Sequence, residues 1–129
     1  AKVNLKYDFW QRELQARFAR LLGERVRAAH EALTAAKARL EAVQLEGATG
    51  EVVQGVTYVQ EMRQRHKRLA GEVAALAAGE RLLVRQRYQL PADWAQASNT
   101  EGALADFEAV LGRRARAMEA QIPALQAKI

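Results

Sequence analysis

The sequence has 129 residues, half of them apolar, with eight glycines, two prolines and no cysteine. That length supports one buried core, the composition excludes a disordered chain, and the missing cysteines exclude disulfides, thiol catalysis and thiolate metal sites. Twenty Lys and Arg against fifteen Asp and Glu leave a formal charge of +5, spread along the chain and mixed with Glu as on solvated helix faces.

No apolar run approaches the ~20 residues that span a membrane. Ala1, Lys2, Val3 and Asn4 carry no apolar signal core, so no secretion signal is read. Both ends stop inside the hydrophobic pattern, so the chain is expected to be an excerpt of a longer one.

Apolar residues recur at alternating three- and four-residue steps, the mark of a helix burying one face. Val3, Tyr7, Trp10, Leu14, Phe18, Leu21, Leu22 and Val26 open this strip, and Leu33, Leu40 and Val43 continue it. A first helix is predicted over about 3–45, bulky in its first half and thinning to Ala28, Ala29 and Ala36. Gly23 inside it costs about 1 kcal/mol relative to Ala. Glu46-Gly47-Ala48-Thr49-Gly50 breaks the rhythm and predicts a tight reversal.

A second helix is predicted over about 51–88, with Val52, Val56, Val59, Met62, His66, Leu69, Val73, Leu76 and Leu83 along its seam. Gly55, Gly71 and Gly79 weaken it, and Gly79 beside Ala74 and Ala78 admits a close helix crossing. Pro91 pushes Leu90 out of helical torsions and is expected to stop the helix near Tyr88 or Gln89. Trp94 is expected to fold back on the bundle, with a partner for its indole N–H.

The third helix is predicted over about 99–122 or beyond. Ser98 and Glu101 have capping-box spacing at its start, and Pro123 is expected to bend or end it near Gln121 and Ile122. Its seam runs Leu104, Phe107, Leu111, Ala115, Met118, Ile122, Leu125 and Ile129. The fold class is therefore all-α. Three helices of about 43, 38 and 30 residues make an elongated antiparallel three-helix bundle, spectrin-repeat-like and part of a longer rod. No internal repeat divides residues 1–129, so they are read as a single bundle, with helix one projecting past helix three toward a neighbouring bundle. Trp10, Phe18, Leu69, Leu76, Phe107 and Leu111 are expected to stiffen the core.

Side chains for chemistry are scarce. His30 and His66 have no companion at metal-ligand spacing, and His66 reads as a packing residue on the seam. Glu13 and Arg17 exemplify an i,i+4 surface pair. Ser98 reads as a cap, and no Gly-rich phosphate loop is present. No catalytic, cofactor-binding or metal-ligating residue is expected. The basic run Arg63-Gln64-Arg65-His66-Lys67-Arg68, the patch Arg113-Arg114-Ala115-Arg116, and Arg81, Arg85 and Arg87 read as solvated faces. The alternative is a basic helical module that binds nucleic acid or an acidic protein surface such as tubulin.

Several segments carry a family likeness. They are Lys2-Val3-Asn4-Leu5-Lys6-Tyr7-Asp8 with Trp10, Thr57-Tyr58-Val59-Gln60 before the basic run, and Gly79-Glu80-Arg81-Leu82-Leu83 with Gln86-Arg87-Tyr88-Gln89-Leu90-Pro91. Trp94 and the stretch from Asn99 to Gly102 ahead of Phe107 complete the set. In order and spacing they resemble the tail of the cytoplasmic dynein heavy chain. The resemblance implies a stem segment lying between the parts that bind intermediate and light intermediate chains and the linker to the motor ring. It also implies a cytoplasmic, cytoskeletal location, with the ATPase modules and microtubule-binding head elsewhere in the parent. Implied partners are neighbouring bundles of the heavy chain, other dynein subunits, a second heavy chain, and dynactin or an adaptor. No small-molecule substrate, membrane, nucleic acid or cofactor is expected.

Overall fold

The structure, a computed structural model, describes the backbone of residues 2–128 and the side chains of residues 6–123. The seam places expected for Val3, Leu125 and Ile129 lie outside that description. The chain forms α1 (Lys2–Ala42), α2 (Thr49–Arg85) and α3 (Ala97–Lys128), with no strand among the described residues. This is the expected all-α three-helix bundle.

Cross-helix bonds set the register. Thr100 Oγ1 donates to the Val26 carbonyl and Arg114 Nε to the Leu40 carbonyl, each across 74 positions, so α1 and α3 run parallel in constant register. α2 runs antiparallel to both: Gln15 meets Gln86 near one end, and Gln44 lies over Gly55 near the other.

Two apolar clusters fill the interior. The larger joins Leu33 and Leu40 of α1, Val59, Met62 and Val73 of α2, and Phe107, Leu111 and Met118 of α3. The smaller joins Ala19, Leu22 and Val26 to Leu76 and Leu83, with Tyr88, Leu90 and Trp94 packed against them. The expected seams of α2 and α3 are thus the observed ones; Tyr58 and Val110 are also buried, although the helical rhythm did not single them out. Arg39 stacks 4.0 Å over the Tyr58 ring, a cation–π contact. Burial raises the Tyr58 pKa above 10.0, and Arg39 opposes that shift. The folded chain holds this proton more tightly than the unfolded one. Its stability contribution is therefore complete below pH 10.0 and is lost as pH rises through the folded value. Tyr58→Phe is expected to flatten the alkaline decline of the unfolding midpoint.

Helix ends depart from expectation, and each departure has a local cause. α1 stops at Ala42, three residues before Leu45, and Arg114 from α3 donates to the carbonyls of Leu40, Glu41 and Val43 around that end. The reversal occupies residues 43–48, with Gly47 at φ +111°, and α2 begins at Thr49, two residues before Glu51. Pro91 does not stop α2. The helix ends at Arg85 because Arg87 takes φ +60°, sending its N–H to the Val84 carbonyl and the Tyr88 N–H to the Leu83 carbonyl, both at 3.0 Å. That is the Schellman pattern, normally built on glycine, and Tyr88 and Leu83 share the smaller cluster as its apolar contact. Arg87→Gly is expected to raise stability by about 1 kcal/mol, read as a higher urea midpoint.

The capping box does not form. α3 starts at Ala97, so Ser98 lies within the first turn and its hydroxyl donates to Gln96 Oε1 at 3.3 Å. Glu80 of α2 takes over the role: its Oε2 accepts the Ala97 backbone N–H and the Trp94 indole N–H, the latter at 3.2 Å. A carboxylate there also complements the positive end of the helix dipole. Trp94 thus finds the partner expected of it, and it packs where Gly23 leaves room: a Cβ on Gly23 would sit 3.0 Å from its ring. α3 does not end at Pro123 but continues to Lys128. The carbonyl deprived of its donor belongs to Glu119, an exposed residue on the solvent side of the helix.

The glycines of α2 separate into two kinds. A Cβ on Gly55 would lie 2.6 Å from the Gln44 carbonyl oxygen, whereas one on Gly71 would meet nothing within 4 Å. Gly55→Ala is expected to cost about 1–3 kcal/mol through overpacking, and Gly71→Ala to contribute up to about 1 kcal/mol through helix propensity. Opposite shifts of the melting midpoint check the pair.

Candidate functional site

The first half of α1 departs most from the sequence expectation. Tyr7, Trp10, Leu14, Phe18 and Leu21 are exposed, Trp10 by 57%, so Trp10 and Phe18 do not stiffen the core as expected. At about 100° per residue these five side chains occupy one sector of the helix, and Leu22, Val26, Leu33 and Leu40 occupy another, turned by about 90°. The periodicity joins two strips into one, because adjacent Leu21 and Leu22 let it pass from the first to the second. Only the second strip is buried against α2 and α3.

The neighbouring helix ends decide how much of α1 stands beyond the bundle. The Gln15 amide donates to Gln86 at 3.0 Å, placing the end of α2 level with Gln15. α3 begins near Val26. Residues 2–14 of α1 thus project past both, about 20 Å of helix at 1.5 Å per residue. This is the projection expected from the unequal helix lengths. Tyr7 and Trp10 stack on the projecting segment, with ring centroids 6.4 Å apart and planes tilted by 48°. Phe9 is exposed on the opposite side.

Apolar surface continues along the flank of the α1–α2 pair that faces away from α3. Phe18 and Leu22 reach to within 3.3 Å or less of where a Cβ on Gly79 would be, the close crossing expected there. Half-exposed Leu82 adjoins this crossing on α2. Further along, Ala28, Ala29 and Ala32 face Leu69 and Val73 across a shallow groove that Glu72 also lines. Soluble proteins rarely leave so extended an apolar patch open unless something binds it.

Charges of both signs stand near this flank. Arg25 stands in the α1 strip between Leu21 and Ala28 and makes no ion pair among the described residues, and Glu72 lines the groove. Several other basic residues are engaged within the bundle. Arg63 pairs with Glu119 at 3.4 Å and Arg65 with Glu61 at 2.8 Å. The half-buried His66 meets Glu108 at 2.6 Å between Nε2 and Oε2, so this seam position is a polar crosslink to α3. Arg114 is not on a solvated face: it is half-buried, with Nε on the Leu40 carbonyl and one terminal nitrogen on those of Glu41 and Val43. The signal that could have found it is the Gly-containing reversal, which leaves the carbonyls of α1 in need of donors.

The expected Glu13–Arg17 pair is not made; the i,i+4 pairs formed are Lys37–Glu41 and Glu61–Arg65. His30 is exposed beside an open polar hollow with Arg27, Glu31, Asn99 and Asp106. Among the described residues no three His, Cys, Asp or Glu side chains gather as a metal site would require, and no helix is long and apolar enough to cross a membrane. The chemistry this arrangement offers is association, through an apolar flank.

No protein-family model matches the chain. It is similar along its whole length to curated proteins named cytoplasmic dynein heavy chain. The relative from Drosophila melanogaster is 35% identical over 130 residues, covering 100% of this chain. Those from Fusarium vanettenii and Neurospora crassa are each 36% identical over 129 residues, covering 99%. The chain spans only 3% of the length of each of these relatives.

Proposed function

Because the chain is homologous along its whole length to one small segment of the cytoplasmic dynein heavy chains, we propose that it is a non-catalytic structural piece of such a heavy chain's tail. In this reading residues 1–129 are a single bundle that holds spacing and orientation between cargo- and adaptor-binding parts and the microtubule motor. Its place is the cytoplasm and cytoskeleton. Its first partners are neighbouring bundles of the same chain; other dynein subunits, a second heavy chain, and dynactin or an adaptor follow.

One observation carries the reading: the whole-chain similarity falls on a close-packed bundle whose best-positioned polar groups serve its own architecture. Glu80 caps α3, Arg114 caps α1, and His66 ties α2 to α3. Side chains packed at near-crystal density resist compression, which suits a part that transmits force. The basic-module reading has less support, since Arg63, Arg65 and Arg114 are engaged within the bundle and the exposed aromatics lie away from the basic run.

The test replaces residues 1–129 in the parent heavy chain with an unrelated helical spacer. Microtubule-stimulated ATP hydrolysis is expected to persist while movement of adaptor-tethered cargo is lost. Loss of hydrolysis in a correctly folded motor would overturn the proposal. Titration with RNA, DNA and microtubules at two salt concentrations tests the other reading, for which a steep salt slope is the signature.

A further inference from the structure

We propose that residues 86–96, the corner between α2 and α3, form a latch that lifts away from the α1–α2 pair while the larger apolar cluster stays closed. The inference deepens the spacer reading, on which its mechanical meaning rests: the bundle has one stiff end and one that yields.

The two ends are built differently. All three helices contribute to the larger cluster, whereas no α3 residue among those described belongs to the smaller one. α3 begins near Val26, where the Thr100 bond fixes it to α1. Beyond that point the third wall is the corner itself, with Tyr88, Leu90, Trp94 and Ala95 packed against Leu22, Leu83 and their neighbours. From Gln89 to Asp93 no backbone N–H among the described residues bonds to a backbone carbonyl. A wall of this kind can open locally without the helices of the other end unfolding.

Few fastenings hold the corner down. A single oxygen of the half-buried Glu80, Oε2, accepts both the Trp94 indole N–H at 3.2 Å and the Ala97 backbone N–H. Arg27 adds a bond to the Asp93 carbonyl at 3.3 Å and an ion pair of 3.6 Å with its carboxylate. Both of those side chains are mostly exposed, and such pairs contribute little. The helices are also weakest at this end. Gly23 and Gly79 lie here and lower helix propensity, and α2 stops on Arg87 in a left-handed conformation at φ +60°. The stretches 28–42 of α1 and 56–70 of α2, on the side of the larger cluster, contain no glycine. Lifting the corner breaks the Glu80 bonds and uncovers Leu22, Val26 and Leu83, while α1 and α2 stay joined through the larger cluster.

The test is hydrogen–deuterium exchange of the purified heavy chain, with peptides read by mass spectrometry. Residues 17–26 and 76–85 are helical, and they are expected to exchange about tenfold or more faster than the helical residues 33–40, 59–70 and 107–118. Glu80→Gln weakens the carboxylate's hold and is expected to speed exchange of both 17–26 and 76–85 several-fold, with 107–118 unchanged. Trp94→Phe keeps an aromatic ring, removes the indole donor and is expected to give the same pattern. No bond joins Glu80 to residues 17–26 among the described residues, so a response there reports the corner rather than a local defect in α2. Equal exchange at the two ends, no response to either substitution, a response confined to α2, or equal acceleration of 107–118 would each overturn the proposal. Exchange is read without any transport assay, so failure of the spacer role and failure of the latch are distinguishable.

Discussion

Phe107→Ala is expected to destabilise the chain by about 3–5 kcal/mol, the cost of deleting a buried aromatic and leaving a cavity. Phe107 has 0% exposure and sits in the larger cluster, where residues of all three helices meet. Backbones held in register by the Thr100 and Arg114 crosslinks cannot readily collapse into the void. Total stability of a domain is about 5–15 kcal/mol, so a large fraction would be lost. The measurement is a urea titration, with a lowered midpoint and an unchanged slope. Trp10→Ala supplies the contrast: the residue is large and aromatic but exposed, and a shift within about 0.5 kcal/mol is expected. If the two substitutions cost the same, the assignment of core and flank would be wrong.

Arg114→Met is expected to cost about 2–3 kcal/mol, with little dependence on salt. The guanidinium makes three bonds of 2.8–2.9 Å to the Leu40, Glu41 and Val43 carbonyls. Those carbonyls lie at and just past the end of α1, where intrahelical donors run out, and positive charge there complements the helix dipole. Methionine keeps much of the apolar stem and removes the donors. Arg114→Lys is expected to restore less than half of the loss, because one ammonium cannot reproduce the planar fork. Arg113→Met, at an exposed neighbour, serves as the reference and is expected to change little. Thermal unfolding of the three variants checks the order.

Together the two substitutions test the cluster that joins the helices and the clamp that closes one of them.

Much of this architecture is legible in local pattern. Val52, Val59, Met62, Val73, Leu76 and Leu83 on α2, and Phe107, Leu111 and Met118 on α3, recur at the helical period, and all are buried. A period of 3.6 residues is a property of consecutive residues, so amino-acid order alone determines three helices and their apolar edges. The breaks are local too: Gly47 takes the left-handed torsion that the reversal needs. The whole-chain similarity to the dynein heavy chains is likewise carried by amino-acid order alone.

Tertiary structure decided whatever depends on residues far apart in the chain. Ser98 and Glu101 have the spacing of a cap, but Glu80 arrives from α2 and binds the Ala97 amide, which no local rule anticipates. Arg114 lies in a run of exposed charges, yet its carbonyl partners are 71–74 positions away. The apolar strip of α1 reads as one seam, whereas Leu22, Val26, Leu33 and Leu40 are buried and Tyr7, Trp10, Leu14, Phe18 and Leu21 are not, because α2 and α3 pack against a sector turned away from the first strip and α2 ends level with Gln15. Periodicity records which side chains share a face; whether another helix lies against that face depends on where the others stop.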